Sequence, residues 1–200
     1  MDGAKVQFSD TDIALMNNAN IILTKNALQQ KIVVLLQTAQ GQMLNAPVAT
    51  SFTTLPPKIS KGENYRGLPY TVLDYPRSFH GNNILLFRTM FWWGNFFSTT
   101  LQVSGSFKTN WLQQLEGAYS ELGEAGFHVG TNADAWQHHF NVDNYVPVNT
   151  LSHESFVHTC RNFEHLKIAK KWSLENLNHT EDQIKKNWYF LMKLVGLVAA

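Results

Sequence analysis

The dipeptide Gly94-Asn95 separates two runs, residues 84–93 and 96–103, that are rich in aliphatic and aromatic side chains and contain no proline. A glycine followed by asparagine suits a two-residue reversal with positive φ at its first position, so the two runs are expected to form an antiparallel hairpin. With 94–95 as the turn, Trp93 faces Phe96 and Trp92 faces Phe97. One face then carries Leu86, Arg88, Met90 and Trp92 opposite Val103, Leu101, Thr99 and Phe97. The other carries Phe87, Thr89, Phe91 and Trp93 opposite Gln102, Thr100, Ser98 and Phe96. The first is the more apolar, and Arg88 stands in its middle. A guanidinium buried there requires a carboxylate, and Asp74 on the preceding run is the candidate; such a pair would pin the sheet. The alternative is an arginine held in an apolar pocket for the carboxylate or phosphate of a ligand.

The remaining elements arrange themselves around this hairpin. Residues 68–75 read as a further strand, stopped by Pro76, and 80–83 as a turn. A short helix is expected over 12–18. A longer one spans about 20–43, with Leu28, Ile32, Leu35, Leu36, Ala39 and Met43 at helical spacing and Pro47 as its stop. From 45 to 67 no period is visible, and the segment reads as a long loop. Residues 106–122 form a helix ended by Gly123; 127–130 and 135–140 read as short strands, and 141–147 as turn. A helix starting at Ser152 carries Phe156, Cys160, Phe163 and Trp172. Thr180 and Gln183 have capping-box spacing. After them Ile184, Trp188, Leu191, Val195 and Val198 make a seam that must be buried, against its own core or against a second subunit. The expected fold is α+β: an antiparallel sheet of about five strands with N-terminal, central and C-terminal helices, in a single domain over 1–200 (helices 10–44, loop 45–67, sheet and helix 68–147, helices 151–198).

Composition narrows the function. Lys plus Arg total 16 against 15 Asp plus Glu, which lacks the basic excess of a nucleic-acid binder. The clusters Lys167, Lys170, Lys171 and Lys185, Lys186 read as solvated helix faces. A single cysteine, Cys160, allows no intrachain disulfide and lies on the apolar side of its helix as an inert thiol. No run is long and apolar enough to span a membrane, and no secretory signal is visible, so a cytoplasmic location is expected. His138 and His139 are adjacent and point to opposite faces of a strand. Neither His-Glu-x-x-His nor Cys-x-x-Cys spacing occurs, so no metal and no cofactor is predicted. Gly-x-Ser-x-Gly, phosphate-loop and dinucleotide glycine motifs are likewise missing.

The stretch Lys61-Gly62-Glu63-Asn64-Tyr65-Arg66-Gly67-Leu68-Pro69-Tyr70, continuing through Leu73-Asp74-Tyr75-Pro76-Arg77, resembles a family of uncharacterised bacterial proteins of the Bacteroidetes type. So does Arg88-Thr89-Met90-Phe91-Trp92-Trp93-Gly94-Asn95-Phe96-Phe97. The resemblance implies a bacterial cytoplasmic protein and supplies no activity. The residues themselves point to a ligand- or partner-binding protein, expected as a homodimer, working through its aromatic hairpin and the 45–67 loop. The candidate site residues are Arg66, Tyr70, Asp74, Arg77, Arg88, Trp92 and Trp93, with an arginine orienting a small anionic ligand. The alternative is a small-molecule enzyme at the same sheet face, with Asp74 and a histidine such as His80 moving protons.

Overall fold

The computed structural model describes residues 6–47 and 55–198, apart from the side chain of Asn176. Strands β3 (Asn83–Trp92) and β4 (Phe96–Ser104) form the expected hairpin, but its reversal takes three residues, Trp93, Gly94 and Asn95. Gly94 sits at φ 68. The Asn95 N–H donates to the Trp92 carbonyl at 3.1 Å, and its side-chain amide donates to the Trp93 carbonyl at 2.9 Å. Trp92 therefore pairs with Phe96, Met90 with Ser98 and Arg88 with Thr100. Because strand side chains alternate, this one-residue difference from the expected register exchanges the two faces of β4. Arg88 shares its face with Ser98, Thr100 and Gln102, and the expectation that it lies opposite Leu101, on a face with Thr99, is corrected.

Strand β2 (Leu68–His80) flanks β3, and β1 (Lys58–Tyr65) flanks β2. On the other side β4 pairs with β7 (His165–Ser173), then β5 (His128–Gly130) and β6 (Tyr145–Pro147), giving a seven-stranded antiparallel sheet of order β1-β2-β3-β4-β7-β5-β6. The sheet thus has seven strands rather than about five. Part of the expected 45–67 loop is β1; as an edge strand wetted on both sides, with Lys58, Lys61 and Glu63, it has no apolar alternation to betray it. Residues 48–54 of that segment lie outside the described residues. The helix expected from Ser152 through Trp172 ends at Asn162 as α5 (His153–Asn162), and Phe163 is already extended. Leu166 and Ile168 then alternate in β7, a period of two. Residues 135–140 are not a strand; β6 lies within the stretch expected to be a turn.

Among the described residues six α-helices complete the fold: α1 (Asp10–Met16), α2 (Ala19–Leu44), α3 (Gly105–Gly117), α4 (Tyr119–Glu124), α5 and α6 (Thr180–Leu194). Helices α2, α5 and α6 cover one face of the sheet. Leu85, Phe87, Phe91, Phe97, Leu101, Val103, Leu166 and Ile168 meet Leu36 and Met43 of α2, Phe156 of α5, and Ile184, Trp188 and Leu191 of α6. The C-terminal seam thus packs inward, and Trp188 Nε1 donates to the Tyr75 carbonyl at 3.1 Å. Each such large apolar side chain contributes about 1.5–3 kcal/mol on burial. Thr180 is not the cap of α6; it is buried at the first helical position, behind His179. Cys160 is fully buried among these helices, and burial, followed by the charge of Glu116, pushes its thiol up to about 12.

One junction sets where α3 lies. Gly105 follows β4 directly with φ 57, and a Cβ there would collide with Asn83 Oδ1 and stand 2.9 Å from the Asn82 carbonyl. Asn83 Oδ1 accepts from the Ser106 N–H at 2.8 Å, and Ser104 Oγ donates to the Asn82 carbonyl at 2.6 Å. The strand-to-helix corner is thereby stapled to the β2–β3 turn. Gly105→Ala is expected to cost about 2–3 kcal/mol, from the left-handed backbone and the collision together. Gly41→Ala, in the interior of α2 with open space around it, is expected to stabilise by about 0.5–1 kcal/mol. Urea midpoints at unchanged slope check both.

Candidate functional site

The sheet face away from α2, α5 and α6 is polar at its centre. Arg88 and Asp74 are cross-strand partners. Arg88 donates twice to the carboxylate, Nε to Oδ1 and Nη2 to Oδ2, each at 2.8 Å, with both side chains largely buried. The expected sheet-pinning pair is present, with the fork-to-fork geometry that favours arginine over lysine. The third guanidinium nitrogen, Nη1, stands 2.9 Å from His138 Nε2. Arginine has only donors, so this imidazole nitrogen accepts and His138 is neutral, with its proton on Nδ1. Burial, then the positive charge of Arg88, holds His138 well below the usual histidine range.

A roof lies over this pair: the segment 131–144, between β5 and β6. It is fastened at three points. The Tyr65 hydroxyl accepts from the backbone N–H of His138 at 2.7 Å and of His139 at 3.0 Å. Lys167 Nζ donates to the Gln137 carbonyl at 2.6 Å and approaches Asn144 Oδ1 at 3.4 Å. Phe140 stacks on Tyr145 and meets the edge of Phe96. Lys167 is fully buried, and burial lowers its pKa to about 8, Asp134 opposing. It lies across Gly130, where an added Cβ would be 3.0 Å from its Cβ and Cε. Lys167 is therefore an interior strut of a strand and not part of a solvated helix face; Lys185 and Lys186 are exposed on α6, as expected.

Two rungs from Arg88 the same face opens into a cavity of about 560 Å³. It is lined by Ile84, Gln102, Ser104 and His165 of the sheet, Lys108, Thr109 and Leu112 of α3, Ala135 of the roof and the exposed Glu164. Gln102 is 1% exposed, and both its amide nitrogen and its amide oxygen lack a hydrogen-bond partner among the described residues. Lys108 is also buried, and its amine donates to the Phe163 carbonyl. Desolvation lowers the pKa of Lys108, opposed by Cys160 and Glu116; it also lowers that of His165, where Lys167 adds to the effect. The cavity can bind through one ammonium, one imidazole and one carboxylate, with Ile84 and Leu112 as its apolar lining.

Of the residues predicted from sequence, Tyr70, Asp74, Arg88 and Trp92 share this face. Val72, Met90, Trp92 and Phe96 form a small apolar cluster packed by Tyr65 and Tyr70. Arg66 is exposed in the β1–β2 turn at φ 52, and Arg77 Nε is engaged by the Pro56 carbonyl at 2.8 Å. Trp93 turns to the other side, edge-on to Phe91 and beside α2. Asp74 and His80 are not brought together: His80 is exposed at the far end of β2, about 20 Å along the strand at roughly 3.3 Å per residue. Sequence reading missed Tyr65, Gln102, Lys108, His165 and Lys167. Among the described residues no group of three or more His, Cys, Asp or Glu side chains is placed to hold a metal ion, and no helix is long and apolar enough to cross a membrane. Compared with protein-family models, curated proteins and solved structures, the chain matches none.

Two measurements follow from the polar centre. Arg88→Met or Asp74→Asn alone is expected to cost about 3–5 kcal/mol, since each leaves a buried partner uncompensated. The double variant is expected to cost at least 1 kcal/mol less than the sum; additivity in urea denaturation would refute the pairing. Because the folded pKa of His138 lies below the unfolded value of 6.5, the unfolded state binds the extra proton between those two values. Stability is therefore full above pH 6.5 and falls as the pH drops below it. His128 and His165, lowered in the same way, add to this slope. His138→Gln is expected to remove up to one proton's share, about 1.4 kcal/mol per pH unit, read from denaturation midpoints between pH 7 and 5.

Proposed function

We propose that this chain is a small-molecule-binding protein whose ligand occupies the cavity between β4, β7 and α3. The carrying observation is the cavity itself, of about 560 Å³, in which Lys108, Glu164 and His165 stand among the apolar side chains of Ile84 and Leu112. The volume suits a metabolite-sized molecule, since ligand cavities fall in the range of roughly 300–1,000 Å³. The binding role thus moves from the expected Arg88 to a point two rungs along the same face. Arg88, saturated by Asp74 and His138, anchors the floor instead. The cover over the site is segment 131–144 rather than 45–67. The family resemblance and the single shielded cysteine fit a bacterial cytoplasmic setting. Lys108, His165 and Glu164 give the enzyme alternative its titratable groups in the same cavity, in place of Asp74 and His80.

A second reading, association with another copy, is favoured by a separate observation. Helix α1 buries none of its residues, and Ile13, Leu15, Met16, Ile21, Ile22 and Leu23 are all exposed. A seven-residue helix is not stable alone in water, and a groove of about 690 Å³ lined by Ile21, Ile22, Leu28, Leu68 and Trp93 runs beside α2. The homodimer would form here, at the N-terminal helices.

Native mass spectrometry and thermal-shift screening against a metabolite collection test the first reading. Wild type is expected to retain or respond to at least one compound, and Leu112→Trp, which fills the cavity, is expected to lose that response. A response shared by both proteins, or none in either, would overturn it. Gln102→Leu is expected to raise the stability of the ligand-free protein by about 1–3 kcal/mol, because it removes the unpaired amide at nearly constant volume. Light scattering of wild type and Met16→Glu tests the second reading: a dimer that becomes monomeric supports it, and a wild-type monomer removes it.

A further inference from the structure

We infer that two copies of this chain associate by exchanging their N-terminal arms, helix α1 of each copy seating in the apolar groove beside α2 of the other. This rests on the homodimer reading proposed above and names the segment and the groove that meet. The arm is a formed helix without a core of its own. Its capping box is complete: the Ser9 N–H and hydroxyl donate to Asp12 Oδ2 at 2.9 and 2.7 Å, and Ser9 Oγ accepts from the Asp12 N–H at 3.2 Å. A helix ordered in advance loses less freedom on docking. Yet α1 buries none of its residues, and Phe8, Ile13 and Met16 are 63%, 46% and 64% exposed. Ile13 and Met16, three residues apart, lie on one side of the helix. That is the anchor spacing of a helix received by a groove.

The same chain carries a groove of the matching kind. Ile21 and Leu28 share a face of α2 with Thr24 and Lys25, and together with Leu68, Pro69 and Trp93 they line about 690 Å³. The Trp93 N–H donates to the Pro69 carbonyl at 3.0 Å, tying the sheet side of that lining together. No residue of α1 is part of it. The junction keeps the arm out of its own groove. The Asn17 N–H donates to the Ile13 carbonyl at 3.0 Å, and Asn18 Oδ1 accepts from the Asn20 N–H at 3.2 Å. Folding α1 back along α2 breaks these cap bonds, whereas the arm of a second copy enters without disturbing them. Charge agrees. Asp10 and Asp12 are the only charged residues among 6–18, and Asp12 is already turned onto Ser9. Lys25 is paired with Glu63 at 2.6 Å. Lys31 lines the adjoining hollow, which shares Leu28 and Trp93 with the groove, and is in no ion pair among the described residues. An arm with a spare carboxylate at Asp10 thus meets a groove with a spare cation nearby. Because α1 ends at Met16 and the groove begins at Asn20, the two reciprocal contacts lie close enough to close on a two-fold axis rather than run on as a filament.

Sedimentation velocity on the full chain reads the exchange through complementation. Met16→Glu spoils the arm and Leu68→Glu the groove; both positions are exposed, so neither change enters the core. Each variant alone is expected to dimerise about tenfold or more weakly than wild type. An equimolar mixture is expected to dimerise more tightly than either, since one intact arm then meets one intact groove. Single-cysteine variants locate the contact, the native thiol being buried. Met16→Cys mixed with Leu68→Cys is expected to form a covalent dimer under mild oxidation, and neither variant alone is. A mixture no tighter than its components, or Met16→Cys linking only to itself, would overturn the exchange and leave the homodimer reading standing. So would a bridge closed within one monomer of Met16→Cys/Leu68→Cys, which would show the arm on its own groove. A wild-type protein that stays monomeric would overturn both.

Discussion

The three-residue reversal at Trp93, Gly94 and Asn95 decides what every residue of β4 faces. With Trp92 opposite Phe96, the bulky residues Phe97, Leu101 and Val103 fall under the helices. Ser98, Thr100 and Gln102 fall with Arg88 on the other side. A two-residue turn would reverse this, putting a glutamine and two hydroxyls into the helix-covered core and aliphatic residues under a polar roof. Strand β7 inherits the choice through its own pairing with β4, so Leu166 and Ile168 enter the core while His165 and Lys167 meet the cavity and the roof. The placement of the cavity is thus a consequence of one turn.

That dependence explains how much was legible in the sequence. The hairpin itself, the helices α1, α2 and α6, and the Asp74–Arg88 pair could be read because each rests on a local period or on a single electrostatic necessity. The register could not, since Gly94-Asn95 is compatible with both loop lengths and only the burial of whole faces discriminates them. Strand β1 was hidden by being wetted on both sides, and β7 by its three lysines, whose spacing imitates a helical face. Lys167 was discounted because charge ordinarily means surface. Gln102 carried no signal at all: an amide is neutral, common and tolerated almost anywhere. Its significance lies in what fails to approach it, and that is settled by residues distant in sequence.

Polar and apolar layers divide the labour across the sheet. On the helix side, burial of aromatic and aliphatic area supplies most of the stability. On the other side, Arg88, Asp74, His138, Tyr65 and Lys167 form a network in which each cation is met by a carboxylate, an imidazole or a main-chain carbonyl, and Asp74 by the guanidinium of Arg88. Such networks in a low-dielectric setting are costly when one member is removed and specific when complete. Lys167 grips the roof through a backbone oxygen, so that contact depends on the path of the segment rather than on the side chain of Gln137.

Cys160 gives the molecule a practical property. The chain's single thiol is fully enclosed between Phe156 and the neighbouring helices, and its proton is held tightly at neutral pH. Because maleimides and spin labels react with exposed thiolates, the folded wild-type protein is in effect thiol-blank. A cysteine introduced at an exposed position of the roof, such as Val142, would carry a probe as the sole reactive group. The placement of that segment can then be followed by fluorescence or electron paramagnetic resonance without first deleting a native residue.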